Sequence, residues 1–141
     1  MFYEQRMTVP DSPAALRAEY EDTLATIIDE RGPAAVAADA DLDEATLEAL
    51  AAGDAPELTL EEAAAIQSLA EGEPEPETMV TMALEHLLLG MSTAVLDVEA
   101  LESRVEIDLE AKEIQQKIEG RAPMSFDEFV HVQYVIADGA P

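Results

Sequence analysis

The segments Gly53–Ala63, GDAPELTLEEA, and Gly120–Phe129, GRAPMSFDEF, carry the same pattern of turn and cap residues. In each, a glycine ends one helical pattern, a proline follows, and a hydroxyl residue stands three positions before a glutamate. Glycine suits the conformation that closes a helix, and a Ser/Thr-x-x-Glu sequence forms a capping box at the start of the next one. Each segment therefore predicts a helix end, a turn and a new helix.

The similarity between the two halves extends upstream of these segments. Residues 41–63 align with residues 108–129 after one deletion. The matched pairs include Asp41 with Asp108, Gly53 with Gly120, Pro56 with Pro123, Thr59 with Ser125, and Glu62 with Glu128. These are turn and cap residues rather than the alanine and glutamate that dominate the composition. We therefore predict a duplicated unit of four helices.

The composition indicates a folded, all-α protein. The chain has 141 residues, no cysteine, three phenylalanines and three tyrosines. A core built mainly from Ala, Leu, Val, Ile and Met favours close-packed helices over a sheet. The 32 acidic residues are interleaved with regularly spaced apolar residues, unlike the charge blocks of disordered tails. We expect about eight helices in two tandem four-helix units.

Cap and stop residues set the predicted helix bounds. Ser12 and Pro13 open the first helix, and Gly32 closes it. In the first unit, the predicted helices cover residues 13–31, 34–39, 44–52 and 60–70. In the second unit, they cover residues 78–96, 98–105, 109–119 and 126–137.

The segment Glu71–Glu77, EGEPEPE, predicts an extended and solvated linker, because proline and glutamate alternate in it. It divides the chain into four predicted parts. These are an N-terminal extension over residues 1–11, a first unit over 12–72, a linker over 73–77, and a second unit over 78–141.

The longest apolar stretch, residues 78–96, is the first predicted helix of the second unit. Glu85 and His86 interrupt it and no Lys or Arg flanks it, which argues against a membrane span. The N-terminal residues lack the cationic start and apolar run of a signal peptide, so we expect a cytoplasmic protein. Because this helix is apolar on more faces than a four-helix unit can cover, we expect it to pack between the two units or against its copy in a homodimer.

The first unit resembles the lambda-repressor-like helix-turn-helix domain over residues 12–72. The resemblance rests on apolar spacing across two short helices and on the downstream Gly, Pro and capped helix. The residues that carry this spacing are Val36, Ala37, Ala40, Leu42, Leu47 and Leu50. Asp41 stands where that family's turn usually has glycine. The resemblance implies two tandem helix-turn-helix-like units and DNA contacts at the start of the second short helix.

That helix start carries no DNA-reading chemistry in the first unit. Its residues are Asp43, Glu44, Ala45, Thr46 and Glu48, and three of them are anionic. The second unit differs, because residues 104–121 hold four basic and five acidic residues, a net charge of −1. The rest of the chain holds three basic and 27 acidic residues, a net charge of −24.

The second unit therefore holds the candidate nucleic-acid-binding residues. Lys and Arg can contact phosphate or guanine, and Gln can pair with adenine. The candidates are Lys112, Gln115, Gln116, Lys117 and Arg121. A simpler interpretation is a routine exposed helix face, since Glu113 and Lys117 have the i,i+4 spacing of a common surface pair.

The whole chain is also similar to a haloarchaeal protein family of unknown function. The similarity is strongest in EQRMTVPDSPAALRAEYEDTL, residues 4–24, and EHLLLGMSTAVLDVEAL, residues 85–101. It implies a cytoplasm rich in salt, which fits the net charge of −25 and only two lysines. In roughly 1 M salt the screening length is about 3 Å, so the self-repulsion of such a chain is small. The resemblance implies no activity.

Little catalytic chemistry can be recognised. Glu128 and His131 have the i,i+3 spacing of a metal-ligand pair in helical bundles, but the duplicate position in the first unit is Ala65. No phosphate-binding loop is present, and we expect no metal, cofactor or enzymatic activity. The leading hypothesis is a non-catalytic cytoplasmic regulator of the helix-turn-helix class that binds double-stranded DNA through its second unit. The alternative is a protein–protein interaction module that has lost DNA binding.

Overall fold

A computed structural model describes residues 1–139 of the chain and confirms the all-α prediction. Its eight helices are α1 Pro13–Arg31, α2 Pro33–Ala40, α3 Glu44–Ala51, α4 Leu60–Gln67, α5 Pro76–Ala94, α6 Val98–Arg104, α7 Ala111–Ile118 and α8 Phe126–Asp138. Within these residues, extended backbone pairs only at one isolated antiparallel bridge, between Thr59 and Ser125. No single described helix is long and apolar enough to cross a bilayer, although α5 and α6 together meet that criterion as a pair bent by 91°.

The predicted caps form. Ser12 Oγ accepts a hydrogen bond from the backbone N–H of Ala15, and Pro13 occupies the first helical position of α1. Both capping boxes are complete, because the hydroxyls of Thr59 and Ser125 and the glutamates three residues later bond reciprocally with the backbone. Local cap chemistry therefore determines where α1, α4 and α8 begin.

The connection between the two halves lies nearer the N-terminus than predicted, over residues 68–75 rather than 71–77. The helix α5 begins at Pro76, inside the predicted linker of residues 73–77, because proline suits the first helical turn, where its missing N–H needs no partner. At the other end, α4 stops at Gln67, before the predicted residue 70. The division of the chain into units stays a prediction, and its last two residues, 140 and 141, lie outside the described range.

The two halves of the structure are built alike. The first helices of both halves, α1 and α5, each have 19 residues and begin with proline. The packing between the halves is reciprocal, since α4 packs on α5 and α8 packs on α1. The two buried polar side chains of the described residues, Gln67 and Gln133, occupy equivalent positions of α4 and α8. These features support the predicted duplication.

The repeated segments meet each other in the structure. The N–H of Leu60 donates to the carbonyl of Met124 at 3.0 Å, and the N–H of Phe126 donates to the carbonyl of Leu58 at 2.7 Å. Each capping residue thus lies between two backbone hydrogen bonds that join the halves. The duplicated turn and cap explain this pairing, because each copy offers the other the same extended backbone.

Two residues near the N-terminus, Phe2 and Tyr3, are buried in the core. Phe2 is buried and makes edge-to-face contacts with Tyr20, Phe126 and Phe129. Its carbonyl accepts a hydrogen bond from Nε2 of Gln133 at 2.9 Å. One apolar cluster includes these residues together with buried residues of all eight helices. Phe2 therefore joins α1 to α8, and the division that assigns residues 1–11 to an extension stays a prediction.

Replacing Phe2 by alanine should be strongly destabilising, because the cavity would open among aromatic rings from both halves. We expect the free energy of unfolding to fall by about 3–5 kcal/mol. Urea denaturation followed by circular dichroism measures it. Met7→Ala is the control, since Met7 is in the same segment and exposed, and it should change the value by less than about 0.5 kcal/mol. Similar small losses in both variants would contradict the assignment of Phe2 to the core.

Candidate interaction surface on the second half

The predicted nucleic-acid-binding residues lie together on α7 and the turn after it. Lys112, Gln115 and Gln116 are exposed along the helix. Nε2 of Gln115 is 3.5 Å from a carboxylate oxygen of Glu119, one turn later. Arg121 follows the helix with a side chain that is 74% exposed, and its Nε is 3.5 Å from Glu119. Their contact with DNA stays a prediction.

Lys117 differs from the other candidates because it is already paired. Its Nζ lies 2.5 Å from Oε2 of Glu128, and its side chain is only 15% exposed. The other carboxylate oxygen of Glu128 accepts the backbone N–H of Ser125 in the capping box. Lys117 therefore ties α7 to the start of α8, and its ammonium group is engaged by a structural contact.

The spacing of Glu128 and His131 does not bring them together as ligands. Glu128 is used by the capping box and by Lys117, whereas Nδ1 of His131 lies 2.9 Å from the carbonyl oxygen of Asp127. Across residues 1–139, no group of three or more His, Asp or Glu side chains is placed to hold a metal ion.

A groove runs along α5 where the second half leaves apolar side chains open to solvent. Two adjoining depressions of about 620 and 650 Å³ share the side chains of Leu88, Ile118 and Glu119. One wall is a stripe of α5 at helical spacing, and the opposite walls are α6, α7, the turn at residues 120–124 and the start of α4. Carboxylates also line the groove, at Glu61, Glu85, Asp97 and Glu119. We call this surface the α5 groove. The stripe consists of Val80, Leu84, Leu88, Met91 and Val95.

The equivalent face of the first half is polar, and its depression of about 470 Å³, lined in part by Arg17 and Asp127, is smaller than either part of the α5 groove. Aligning Pro13 with Pro76 matches Arg17 of α1 with Val80 of α5. The guanidinium of Arg17 bonds to Glu21 at 3.0 Å, to Asp127 at 2.9 Å and to the carbonyl of Pro56 at 2.7 Å. Burial raises the pKa of Glu21, although its pairing with Arg17 opposes that shift. The same position of the scaffold therefore holds an ionic cluster in one half and an open apolar surface in the other.

The groove is open because α6 and α7 stand away from α5. In the first half, α2 and α3 both pack against the long helix α1. In the second half, among the described residues, α7 contacts the long helix α5 at only a few positions and α6 does not pack against α5. The two halves also differ at one aligned position of this face, since Leu50 of α3 is matched by Lys117 of α7. A lysine cannot fill the apolar position that the fully buried Leu50 occupies, and it turns to Glu128 instead.

Val95, at the end of the groove, has an unfavourable backbone. Its φ of 56° and ψ of 52° lie in the left-handed region, and the residue is 88% exposed. A β-branched residue in this region is an outlier that costs of order 1–3 kcal/mol. The matching position after α1 is Gly32, which has a φ of 90°. We predicted Val95 inside a helix extending to Leu96, and only the alignment with Gly32 could have indicated the turn.

One comparison with known proteins gives a match. A family model described as "Family of unknown function (DUF5791)" matches residues 16–139. The chain belongs to this family. No curated protein and no solved structure matches the chain. The matched range of the DUF5791 model covers both halves, including the whole of the α5 groove.

Charge reversal should separate the structural lysine from the exposed one. We expect Lys117→Glu to lower the free energy of unfolding by about 2–4 kcal/mol, because it would place a carboxylate beside the partly buried Glu128. Lys112→Glu, which makes the same change on the exposed face of α7, should stay within about 0.5 kcal/mol of the wild type. Chemical denaturation of both variants measures the difference, and equal stabilities would contradict the role of Lys117.

Proposed function

We propose that this chain is a non-catalytic protein-interaction module whose binding surface is the α5 groove. One observation carries the proposal: the duplicated scaffold has the same face twice, and the second copy is lined largely by apolar side chains, whereas the first holds an ionic cluster. The first half uses Arg17 and Glu21 at the positions of Val80 and Leu84, so the fold itself does not require apolar side chains there. Exposed apolar residues that folding does not require are typical of binding surfaces.

The shape of the groove suits a helix. An amphipathic helix binds such a surface through apolar anchors spaced three and four residues apart. The α5 stripe has this spacing, and Leu88 and Ile118 lie where the two depressions join. A buried apolar anchor at the centre of an interface usually contributes most to affinity. Leu88 is therefore the residue on which binding should depend most.

The resemblance of the first half to a lambda-repressor-like helix-turn-helix domain is compatible with a non-catalytic role. In the first half, Val36, Leu47 and Leu50 are fully buried between short helices, and Asp41 adopts the left-handed turn where the lambda-repressor-like family usually has glycine. We infer that this half keeps the packing of a helix-turn-helix unit without its reading chemistry. A salt-rich cellular origin is supported by the net charge of −25.

A model peptide tests the groove directly. We expect an uncharged amphipathic peptide of about 18 leucine and glutamine residues to bind the protein saturably, because it supplies an apolar helix face without electrostatic attraction. Leu88→Glu should raise the Kd by about tenfold or more, since burying a leucine contributes about 1.5–3 kcal/mol. Fluorescence anisotropy of the labelled peptide measures both values, at a protein concentration where the chain is monomeric by sedimentation.

The matched control is Ala25→Glu, because Ala25 of α1 occupies the position of Leu88 in the alignment of the two long helices. This variant adds the same charge to the long helix of the first half, outside the α5 groove, and should leave the Kd unchanged. Absence of peptide binding to the wild type, or equal weakening by both substitutions, would count against the α5 groove.

DNA binding through α7 is the second candidate, favoured by the exposure of Lys112, Gln116 and Arg121. It is weaker because phosphate contacts normally supply most of the affinity, and the chain carries a net charge of −25. We expect no saturable binding of a random duplex in about 0.1 M KCl by anisotropy. Binding that falls with salt and disappears in Lys112→Glu/Arg121→Glu, but not in Arg104→Glu, would instead support the DNA hypothesis. The test leaves Lys117 intact because its substitution would disturb the fold.

A further inference from the structure

We propose that the partner of this surface is a second copy of the chain, bound with α5 against α5 about a twofold axis. This inference rests on the proposed function, because it names the occupant of the α5 groove. Three features of the described residues support this inference. They are an uncharged length of α5, the position of the few basic residues, and two exposed leucines, one in the groove and one beside it.

The first feature is a long uncharged surface in a very acidic chain. Between Glu85 and Asp97 the sequence has no Asp, Glu, Lys or Arg, whereas the whole chain has a net charge of −25. Two copies carry like charges, so they can meet closely only where neither presents carboxylates. The uncharged part of α5, residues 86–94, spans about 13 Å at 1.5 Å per residue, which is enough for a helix–helix contact.

The second feature is the position of the basic residues. Three of the seven, Lys112, Lys117 and Arg121, lie on α7 and the turn that forms the far side of the groove. Lys117 and Arg121 line the groove, where the first is held by Glu128 and the second is 3.5 Å from Glu119, whereas Lys112 is exposed outside it. Carboxylates also line the groove, so these cations reduce the repulsion of an acidic partner rather than attract it. A second copy of this acidic chain is therefore repelled less here than at the other faces.

The third feature is a ridge on α5 at the edge of the groove, formed by Leu88 and Leu89. Leu88 and Leu89 are 47% and 51% exposed, and only Leu88 lines the groove. Ser92 is exposed one turn later and is small enough to let another helix approach. A twofold interface requires one surface that is complementary to itself. A leucine ridge next to an apolar groove meets this requirement, because the ridge of each copy can enter the groove of the other.

Salt dependence distinguishes this dimer from contacts between opposite charges. Screening reduces the repulsion between the two acidic copies, so we expect the dimer Kd to fall several-fold between about 0.15 M and 2 M KCl. Sedimentation equilibrium measures the Kd at both concentrations. A wild-type chain that stays monomeric at about 100 μM in both salts would overturn the inference, as would a dimer that weakens steadily with salt.

Substitutions locate the interface. Leu89→Glu should weaken the dimer by about tenfold or more in both salts yet retain binding of the leucine–glutamine peptide, because Leu89 does not line the groove. Thr26→Glu, at the equivalent position of α1, should remain dimeric. If Leu89→Glu dimerises as well as the wild type, the inference fails. If the wild type is monomeric but binds the peptide through Leu88, the inference fails and the proposed function stands.

A cysteine crosslink provides a second readout that does not depend on affinity. The chain has no cysteine, so Ser92→Cys introduces a single thiol on the exposed side of α5. We expect mild oxidation to give a disulfide-linked dimer, because two α5 helices packed about a twofold axis bring this position close to its copy. Asp29→Cys, the equivalent position of α1, should remain monomeric under the same conditions. Equal crosslinking of both variants would contradict contact between the α5 helices.

Discussion

The antiparallel bridge between Thr59 and Ser125 is the contact on which the arrangement of both halves depends. Its two backbone hydrogen bonds join the start of α4 to the start of α8, and each of these helices packs on the long helix of the other half. Each capping box therefore does two things. It satisfies free N–H groups at its own helix start, and it holds the extended backbone with which the other copy pairs.

The two halves share this bridge but differ in the side chains that cover their long helices. The first half buries Leu50 and uses Arg17 to join α1 to a loop carbonyl and to α8, so charged side chains occupy this face. In the second half Lys117 stands at the position of the leucine and Val80 at the position of the arginine. Both differences fall on one face, where Lys117 pairs with Glu128 of α8 and Val80 adds an apolar side chain to the exposed surface.

The sequence predicted the features that depend on local chemistry. The capping boxes at Thr59 and Ser125 could be predicted because their partners lie three residues away. The role of Lys117 could not, since Glu128 lies on another helix and no helical spacing relates the two. The surplus of apolar faces on residues 78–96 was apparent, and it predicted packing between the two units or against a second copy. In the structure α5 packs on α4 and on α8, one helix from each half. Which side of α5 stays open depends on how α6 and α7 pack, and this required the three-dimensional structure.

The position of Phe2 has a consequence for how the chain reaches this structure. Its carbonyl is bonded to a glutamine 131 residues later, and its ring packs on Phe126 and Phe129 of α8. During synthesis, the aromatic cluster cannot close until α8 has left the ribosome. Contacts between such distant residues also carry a large loop-closure entropy and slow the search for the native state. The first half therefore leaves the ribosome before its own core is complete, and it stays open until the last helix has been made.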